Sequence, residues 1–410
     1  MRRGSRRKVA AGASVIYLVP SGNLTAPYFH RANAFIKYLG NKPSFQLIEI
    51  GPPSRLADFF PPAKIMHKPL RVKIVSPFWL NLPQIAVIDN FLFALLRTFL
   101  LNAWTGILAR IFLRGSGFEK LVFYHPQFAF MPTFLRSERS SVTVYDKADA
   151  YPIFYAGAVR RAVSFLDEYN TRQADIVLAA SPQLETLAKR QHARRTLEVD
   201  NGVYLSDFNH SMERDRDVAV YVGNLTDQRW GVDLMLRAVP RVVEEFPNFR
   251  VRIVGEGPLR SKLYSLSKHL AVAEHVHFEG HIPHEKIGKI TCASRVAVVP
   301  YRPWTGFRFA TLSLKVLEYL ASGTPVVATN VGPFATLVGL EKLGAVVEPT
   351  PEGIASGIIS ILRLSKTEWC AMSERTLKIA HEHDWDTQLS EALGEVEKVW
   401  LSKRKMNTIA

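Results

Sequence analysis

Residues 313–330 read S-L-K-V-L-E-Y-L-A-S-G-T-P-V-V-A-T-N, a run that spells a short helix, a stop and a strand. Ser313 suits an N-cap, because its hydroxyl can accept from the free amides of the first turn. Leu314, Leu317 and Leu320 fall at helical spacing and suit a buried face. Gly323 stands where a left-handed residue ends a helix, and Pro325 forbids continuation. Val326 and Val327 then open a buried strand. Lys315 and Glu318 are three positions apart, so they share a face near the helix N-terminus. A helix N-terminus attracts phosphate, the lysine adds charge, and a carboxylate one turn on can accept two sugar hydroxyls. Such a turn can seat a nucleoside diphosphate with its ribose. The same residues also fit an ordinary amphipathic helix with a surface Lys–Glu pair.

Around this segment, strand and helix patterns alternate along the chain. Strands are expected at 15–20, 45–50, 120–124, 141–145 and 176–179, with helices at 31–39 and 159–174. The pattern repeats at 219–222, 234–246, 250–254, 259–270, 275–279, 284–290 and 296–300. Alternation of this kind argues for parallel, doubly wound sheets, which bind ligands at the carboxyl ends of their strands. A chain of 410 residues exceeds what one core usually holds, so two domains are expected. No internal repeat or low-complexity tract is present. Cys292 and Cys370 form no metal spacing and no disulfide framework, and read as free thiols of a reducing compartment, Cys292 as a core filler.

Charge is unevenly spread. Residues 1–118 hold 16 Lys and Arg against Glu49, Asp58 and Asp89, whereas the remainder is nearly balanced. A basic half points to an anionic partner. Nucleic acid is set aside, because no recognition-helix, zinc-finger or aromatic RNA-binding motif occurs. A membrane surface fits better, because the same half is apolar. Residues 91–101 read F-L-F-A-L-L-R-T-F-L-L, with Trp104, Ile107, Leu108, Ile111, Phe112 and Leu113 following. Arg97, Asn102 and Arg110 interrupt a spanning helix. The stretch 78–114 reads as buried helices of the first domain, part of it exposed as a lipid-facing patch. The basic run at residues 2–8 has no apolar segment and cleavage site after it, so no signal peptide is expected. The expected location is cytoplasmic, peripheral on the membrane face.

The 313–330 segment resembles the donor-site helix of the GT-B glycosyltransferases of the family 4 group (glycosyl transferases group 1). Four further segments carry the likeness: V-D-N-G-V-Y-L-S-D-F (199–208), Y-V-G-N-L-T-D-Q-R-W-G-V-D-L-M-L (221–236), V-R-I-V-G-E-G-P-L (251–259) and V-A-V-V-P-Y (296–301). The order of all five matches the family, over roughly 199–331. The resemblance implies two Rossmann-like domains facing across a cleft. An acceptor-binding domain would span 1–205, a nucleotide-sugar domain 206–384, and a C-terminal helix at 385–410 would cross back to the first.

The resemblance also assigns roles. Lys315 and Glu318 would hold the donor's phosphates and ribose. Arg229, just before Trp230-Gly231, would join Lys315 in neutralising the diphosphate leaving group. Gly255 and Gly257 would let the chain approach the nucleotide, or simply form a tight turn. Gly22 and Asn23 follow the first strand, where such enzymes aim backbone amides at the diphosphate. Arg302 and Arg308 flank Trp304 and Phe307 in the donor loop, facing either ligand or solvent. Many members carry two glutamates eight positions apart; the first of these positions is Ala310 here, which leaves the sugar open.

Catalytic candidates lie in the first half. V-T-V-Y-D-K-A-D-A-Y-P (142–152) places Asp146 and Asp149 after a strand. This loop, with R-A-N-A-F-I-K-Y-L (31–39), resembles the xanthan-type glucuronosyltransferases, whose catalytic aspartate matches Asp149. Asp149 is assigned as the base that takes the acceptor proton, and Asp146 as a structural tie. His125, in F-Y-H-P, resembles the histidine that many retaining family members set beside the donor sugar, and also fits a loop histidine bonded to a backbone carbonyl. Inversion and retention both stay open. No D-x-D at a strand end and no His/Cys cluster occurs, so neither a metal nor another cofactor is expected. The resulting expectation is a glycosyltransferase using a nucleotide diphosphate-sugar and a lipid-linked acceptor, such as a glycan on a polyprenyl phosphate. A sugar-nucleotide epimerase of the same fold and a non-catalytic membrane-binding member are the alternatives.

Overall fold

A computed structural model of the chain describes residues 15–20, 30–40, 45–51, 63–66, 71–75, 120–125, 141–208, 215–304, 306–307 and 311–409. The apolar stretch at 78–114, the basic run at 2–8, and Gly22, Asn23, Arg308 and Ala310 lie outside these residues. The chain divides into two compact units, one of residues 1–199 with 389–410, the other of residues 200–388.

The described strands of the first unit form one sheet. They are β1 (Val15–Pro20), β2 (Phe45–Gly51), β3 (Ala63–Met66), β4 (Arg71–Val75), β5 (Lys120–His125), β6 (Ser141–Lys147), β7 (Ile176–Ala179) and β8 (Thr196–Glu198). Their order is β3-β4-β2-β1-β5-β6-β7-β8. Every pairing is parallel except that of β3 with β4, an antiparallel hairpin the sequence reading did not include. The chain order reverses between β1 and β5, the usual switch point of an open sheet. Helices α1 (His30–Gly40), α2 (Gly157–Gln173) and α3 (Pro182–Arg190) belong to this unit.

Strand β6 is longer than its apolar pattern indicates. It runs through Lys147, so Asp146 sits in the strand and not in the loop after it. Both charges tolerate burial because each is paired. The Asp146 carboxylate accepts from Nε of Arg31 at 2.9 and 3.1 Å. Lys147 Nζ donates to both Asp167 oxygens, at 2.6 and 2.5 Å, and to Gln191 at 3.0 Å. Tyr145 donates its hydroxyl to Asp167 at 2.7 Å.

The second unit carries a parallel sheet in the order β11-β10-β9-β12-β13-β14. Its strands are β9 (Asp215–Val222), β10 (Arg250–Val254), β11 (Val276–Gly280), β12 (Ser294–Val299), β13 (Val326–Thr329) and β14 (Gly344–Val347). All six residues of β12 are buried, as expected for a strand covered on both faces. Helices α4 (Val232–Glu245), α5 (Arg260–His269), α6 (His284–Cys292), α7 (Leu314–Ala321), α8 (Pro333–Leu340), α9 (Pro351–Leu362) and α10 (Lys366–Glu382) follow in turn. The last helix, α11 (Trp385–Ile409), begins in this unit and continues in the first.

Helix α7 follows the order read from residues 313–330, with two differences. Gly323 adopts φ 66° and ends the helix. Ser313 occupies the N-cap position but makes no side-chain cap bond; its hydroxyl lies 3.4 Å from that of Tyr301. The buried face is formed by Val316, Leu317, Tyr319 and Leu320, with Leu314 only half-buried. Cys292 is buried and Cys370 partly so, and neither is in a disulfide. Among the described residues, no helix is long and apolar enough to cross a membrane.

Candidate functional site

In the second unit the chain order reverses between β9 and β12, which lie side by side. At such a switch point, open α/β sheets bind ligands in a crevice outside the carboxyl ends of the strands. The loops after these two strands are tied together: Arg302 donates its backbone N–H to the carbonyl of Arg229 at 2.8 Å. Gly231 makes this approach possible. It has φ 63°, and a Cβ there would stand 1.7 Å from the Pro300 carbonyl oxygen.

Lys315 reaches into this crevice from the first turn of α7. Its Nζ lies 4.6, 5.3 and 5.1 Å from the ring centres of Tyr221, Trp230 and Tyr301. It also donates to the Tyr221 hydroxyl at 3.4 Å. Burial alone would lower its pKa, but the surrounding tyrosine hydroxyls outweigh that and raise it above the ordinary lysine value. Lys315 is thus a fixed cation at neutral pH, set in an aromatic cage. Gly223, at the end of β9, makes the space: a Cβ there would stand 2.3 Å from Lys315 Nζ.

Arg229 stands beside the cage. Its guanidinium lies 5.3 and 4.8 Å from the ring centres of Trp230 and Trp304, and 3.1 Å from the Asp227 carboxylate. Arg302 pairs with Asp233 at 2.5 Å. Arg229 Nε, Trp230 Nε1 and Arg302 Nε are buried N–H donors with no hydrogen-bond partner among the described residues. Lys315 and Arg229, with unfilled donors around them, form an anion-accepting surface. Glu318 lies one turn after Lys315, its side chain 15% exposed, and meets Nε2 of His284 at 2.8 Å.

Gly255 and Gly257 lie in the loop after β10. Cβ atoms there would stand 1.9 Å from the Gly223 carbonyl oxygen and 2.4 Å from the Leu225 carbonyl. These glycines thus pack the β10 loop against the β9 loop that shapes the Lys315 cage.

The first unit holds a second group of residues. Asp149 follows β6 and is half-buried, and it makes no hydrogen bond among the described residues. Burial pushes its pKa up to about 6; the nearby Arg31 opposes this, and Asp146 adds to it. A carboxyl so placed is basic enough to take a proton and still ionised at neutral pH. His125 ends β5, in register with Tyr145 of β6.

Sequence reasoning did not single out Tyr221, Gly223, Tyr301 or His284. Tyr221 and Gly223 lay within the quoted Y-V-G-N-L run, and Tyr301 ended V-A-V-V-P-Y. Nothing local marks them as neighbours of Lys315. His284 carried no signal beyond its place after a strand.

Comparison with known proteins bears on the family and the fold. Residues 216–363 match the family described as Glycosyl transferases group 1. An uncharacterised glycosyltransferase of Methanocaldococcus jannaschii is 28% identical over 44% of this chain and 45% of its own. A GDP-mannose-dependent alpha-(1-6)-phosphatidylinositol monomannoside mannosyltransferase of Mycolicibacterium smegmatis is 34% identical over 33% of this chain and 36% of its own. A phosphatidyl-myo-inositol mannosyltransferase of Mycobacterium tuberculosis is 26% identical over 50% and 54%. The chain spans about half the length of the curated relatives it matches. Among solved structures, a sucrose-phosphate synthase of Thermosynechococcus elongatus superposes with TM-score 0.68 at 17% identity, covering 95% of this chain and all of that one. Anabaena HepE in complex with UDP superposes with TM-score 0.66 at 15% identity, over 93% and 100%. The fold is GT-B.

Proposed function

We propose that the protein, whose residues 216–363 match the glycosyl transferases group 1 family and whose fold is GT-B, is a glycosyltransferase using a nucleotide diphosphate-sugar. The observation that carries this reading is the Lys315 cage at the switch point of the second sheet. A permanently charged lysine stands there beside Arg229, whose Nε is an unfilled donor, at the carboxyl ends of β9 and β12. A diphosphate gains charge as the sugar leaves it, so two fixed cations favour the transition state over the ground state. Their role is the one a divalent metal plays in other transferases, and the reaction is proposed to need none. Glu318, one turn away, would accept from the ribose hydroxyls. The relative named for GDP-mannose and the neighbour solved with UDP support a nucleotide donor.

The acceptor is proposed to be lipid-linked. Relatives named as phosphatidylinositol mannosyltransferases support this, as does the basic, apolar first half of the chain. Phe154, Tyr155 and Phe165 are 44%, 45% and 51% exposed, with Arg160 and Arg161 also exposed, on the segment that follows Asp149. Such a mixture suits an anionic lipid surface and a peripheral attachment to it. Asp149 would take the acceptor proton if the reaction inverts. His125 and the donor phosphate would carry more of the chemistry if it retains.

The test is a thermal-shift screen of the purified protein against UDP-, GDP-, ADP- and dTDP-sugars with EDTA present. A ligand bound only by the folded state raises Tm. A rise with one nucleotide class supports the donor site, its class and its independence from metal. No rise with any of them contradicts the reading.

A further inference from the structure

We propose that His284 is a positioning residue for donor binding: it holds one oxygen of Glu318 and presents the other to the ribose. This rests on the donor-site reading above. The geometry is specific. His284 opens α6 and meets Glu318 Oε1 through Nε2 at 2.8 Å. Oε2 of Glu318 has no hydrogen bond among the described residues. A carboxylate has two oxygens and about four lone pairs, so one imidazole N–H leaves capacity for both hydroxyls of a cis-diol. Without that tie, a glutamate side chain on a helix surface samples several rotamers, and ordering it opposes binding.

The placement of His284 is built into the fold. Helix α6 packs closely on the turn at Leu205–Asp207: a Cβ at Gly288 would stand 2.8 Å from the Asp207 carbonyl oxygen. The charged groups facing His284 are Glu318 from α7, Asp207 from that turn and Glu285 from α6 itself. All three are acidic. The bond to Glu318, more than the opposing burial, raises the pKa of His284 above the ordinary histidine value. The tie is therefore charge-assisted at neutral pH and weakens as pH rises through that titration. A neutral imidazole still donates one N–H, so the tie loses strength without being abolished.

The experiment is calorimetric titration of the full chain with UDP and with GDP, and with the analogues of each lacking both ribose hydroxyls. Wild type, H284A, H284Q and E318A are compared. H284A is expected to weaken the natural nucleotide about 10-fold or more, the scale of one charge-assisted hydrogen bond. It should leave the dideoxy analogue unchanged. H284Q, which keeps a donor, should restore most of the loss. Wild-type affinity should fall as pH rises through the His284 titration, and H284Q should be flat. Equal losses for the natural and dideoxy nucleotides overturn the proposal, because they indicate general damage. So does an unchanged H284A where E318A is weakened, which leaves the donor reading standing. An unchanged E318A, or no binding of either nucleotide by wild type, removes the donor reading itself and the proposal with it. If H284A does not fold, the pH profiles of wild type and H284Q decide: two flat profiles overturn it.

Discussion

Gly223 and Lys315 are 92 positions apart, yet the absent side chain of one is the space the other occupies: a Cβ on Gly223 would stand 2.3 Å from Lys315 Nζ. The lysine is held above the ring of Tyr221 at 4.6 Å only because the chain turns through a glycine at the end of β9. The strand end and the helix start are thus one device for holding a cation at the switch point of the sheet.

Gly223→Ala is expected to displace the ammonium and to weaken nucleotide diphosphate binding by about tenfold, as loss of one charge-assisted contact does. The lysine is a flexible side chain, so the fold should survive. Titration calorimetry together with far-ultraviolet circular dichroism checks both halves, and unchanged affinity would contradict the role given to this glycine.

Tyr319 accepts the backbone N–H of Val222 at 2.7 Å in a fully buried position. Tyr319→Phe leaves that N–H without a partner. A cost of about 1–3 kcal/mol is expected, seen as a lower denaturation midpoint. The loss should appear in stability first, because Val222 lies at the end of β9 and not in the crevice itself.

The pair of Lys147 and Asp167 is buried with side-chain exposures of 0% and 2%. Burial lowers the lysine pKa, although the facing aspartate opposes that shift. Lys147→Met strands a carboxylate in the interior and should cost about 3–5 kcal/mol. Adding Asp167→Asn should recover part of this loss, because the amide oxygen it introduces is uncharged and can still accept from the Tyr145 hydroxyl. A double-mutant cycle by denaturant unfolding measures the coupling, and strict additivity would contradict the pairing.

If the reaction inverts, Asp149 should set the acid limb of transfer. Its pKa is raised by burial to about 6, so kcat/KM should fall below that pH as the base is protonated. Asp149→Asn should reduce kcat by about 10²- to 10⁴-fold with little change in donor affinity. The same shift has a stability consequence of opposite sign to a salt-bridged aspartate. The folded state holds the proton more tightly than the unfolded, so this group's contribution to stability falls as pH rises from about 4 to about 6. The asparagine variant should lose that slope. Full transfer by the variant would remove the base assignment.

Much of the fold can be read from short-range signals. The helix, stop and strand at 313–330 depend on residues within one turn of each other, and Gly323 takes the left-handed backbone its position implies. The extension of β6 does not have this property. Asp146 is at home in a strand only because Arg31, 115 positions earlier, neutralises it. The hairpin of β3 and β4 has strands of only four and five residues, too short for their alternation to mark them. For the candidate site, Lys315, Glu318 and Arg229 were legible because their charges stand at strand ends and at a helix start. The cage was not, because Tyr221 of β9, Trp230 and Tyr301 converge on Lys315 from segments separated in sequence. His284 was missed for the same reason: its meaning comes from a partner on another helix. Ser313 shows the converse, a residue with the right local chemistry for a cap whose hydroxyl lies near Tyr301 instead.

Diphosphate binding by the Lys315 cage is the step on which donor recognition depends. Its most direct test is calorimetric titration of wild type and Lys315→Met with UDP and GDP, in EDTA. Methionine keeps the length and apolar stem but removes the charge. Wild type is expected to bind at least one nucleotide, and the variant to lose about tenfold or more in affinity. Equal affinity in the two proteins would contradict this role of the cage.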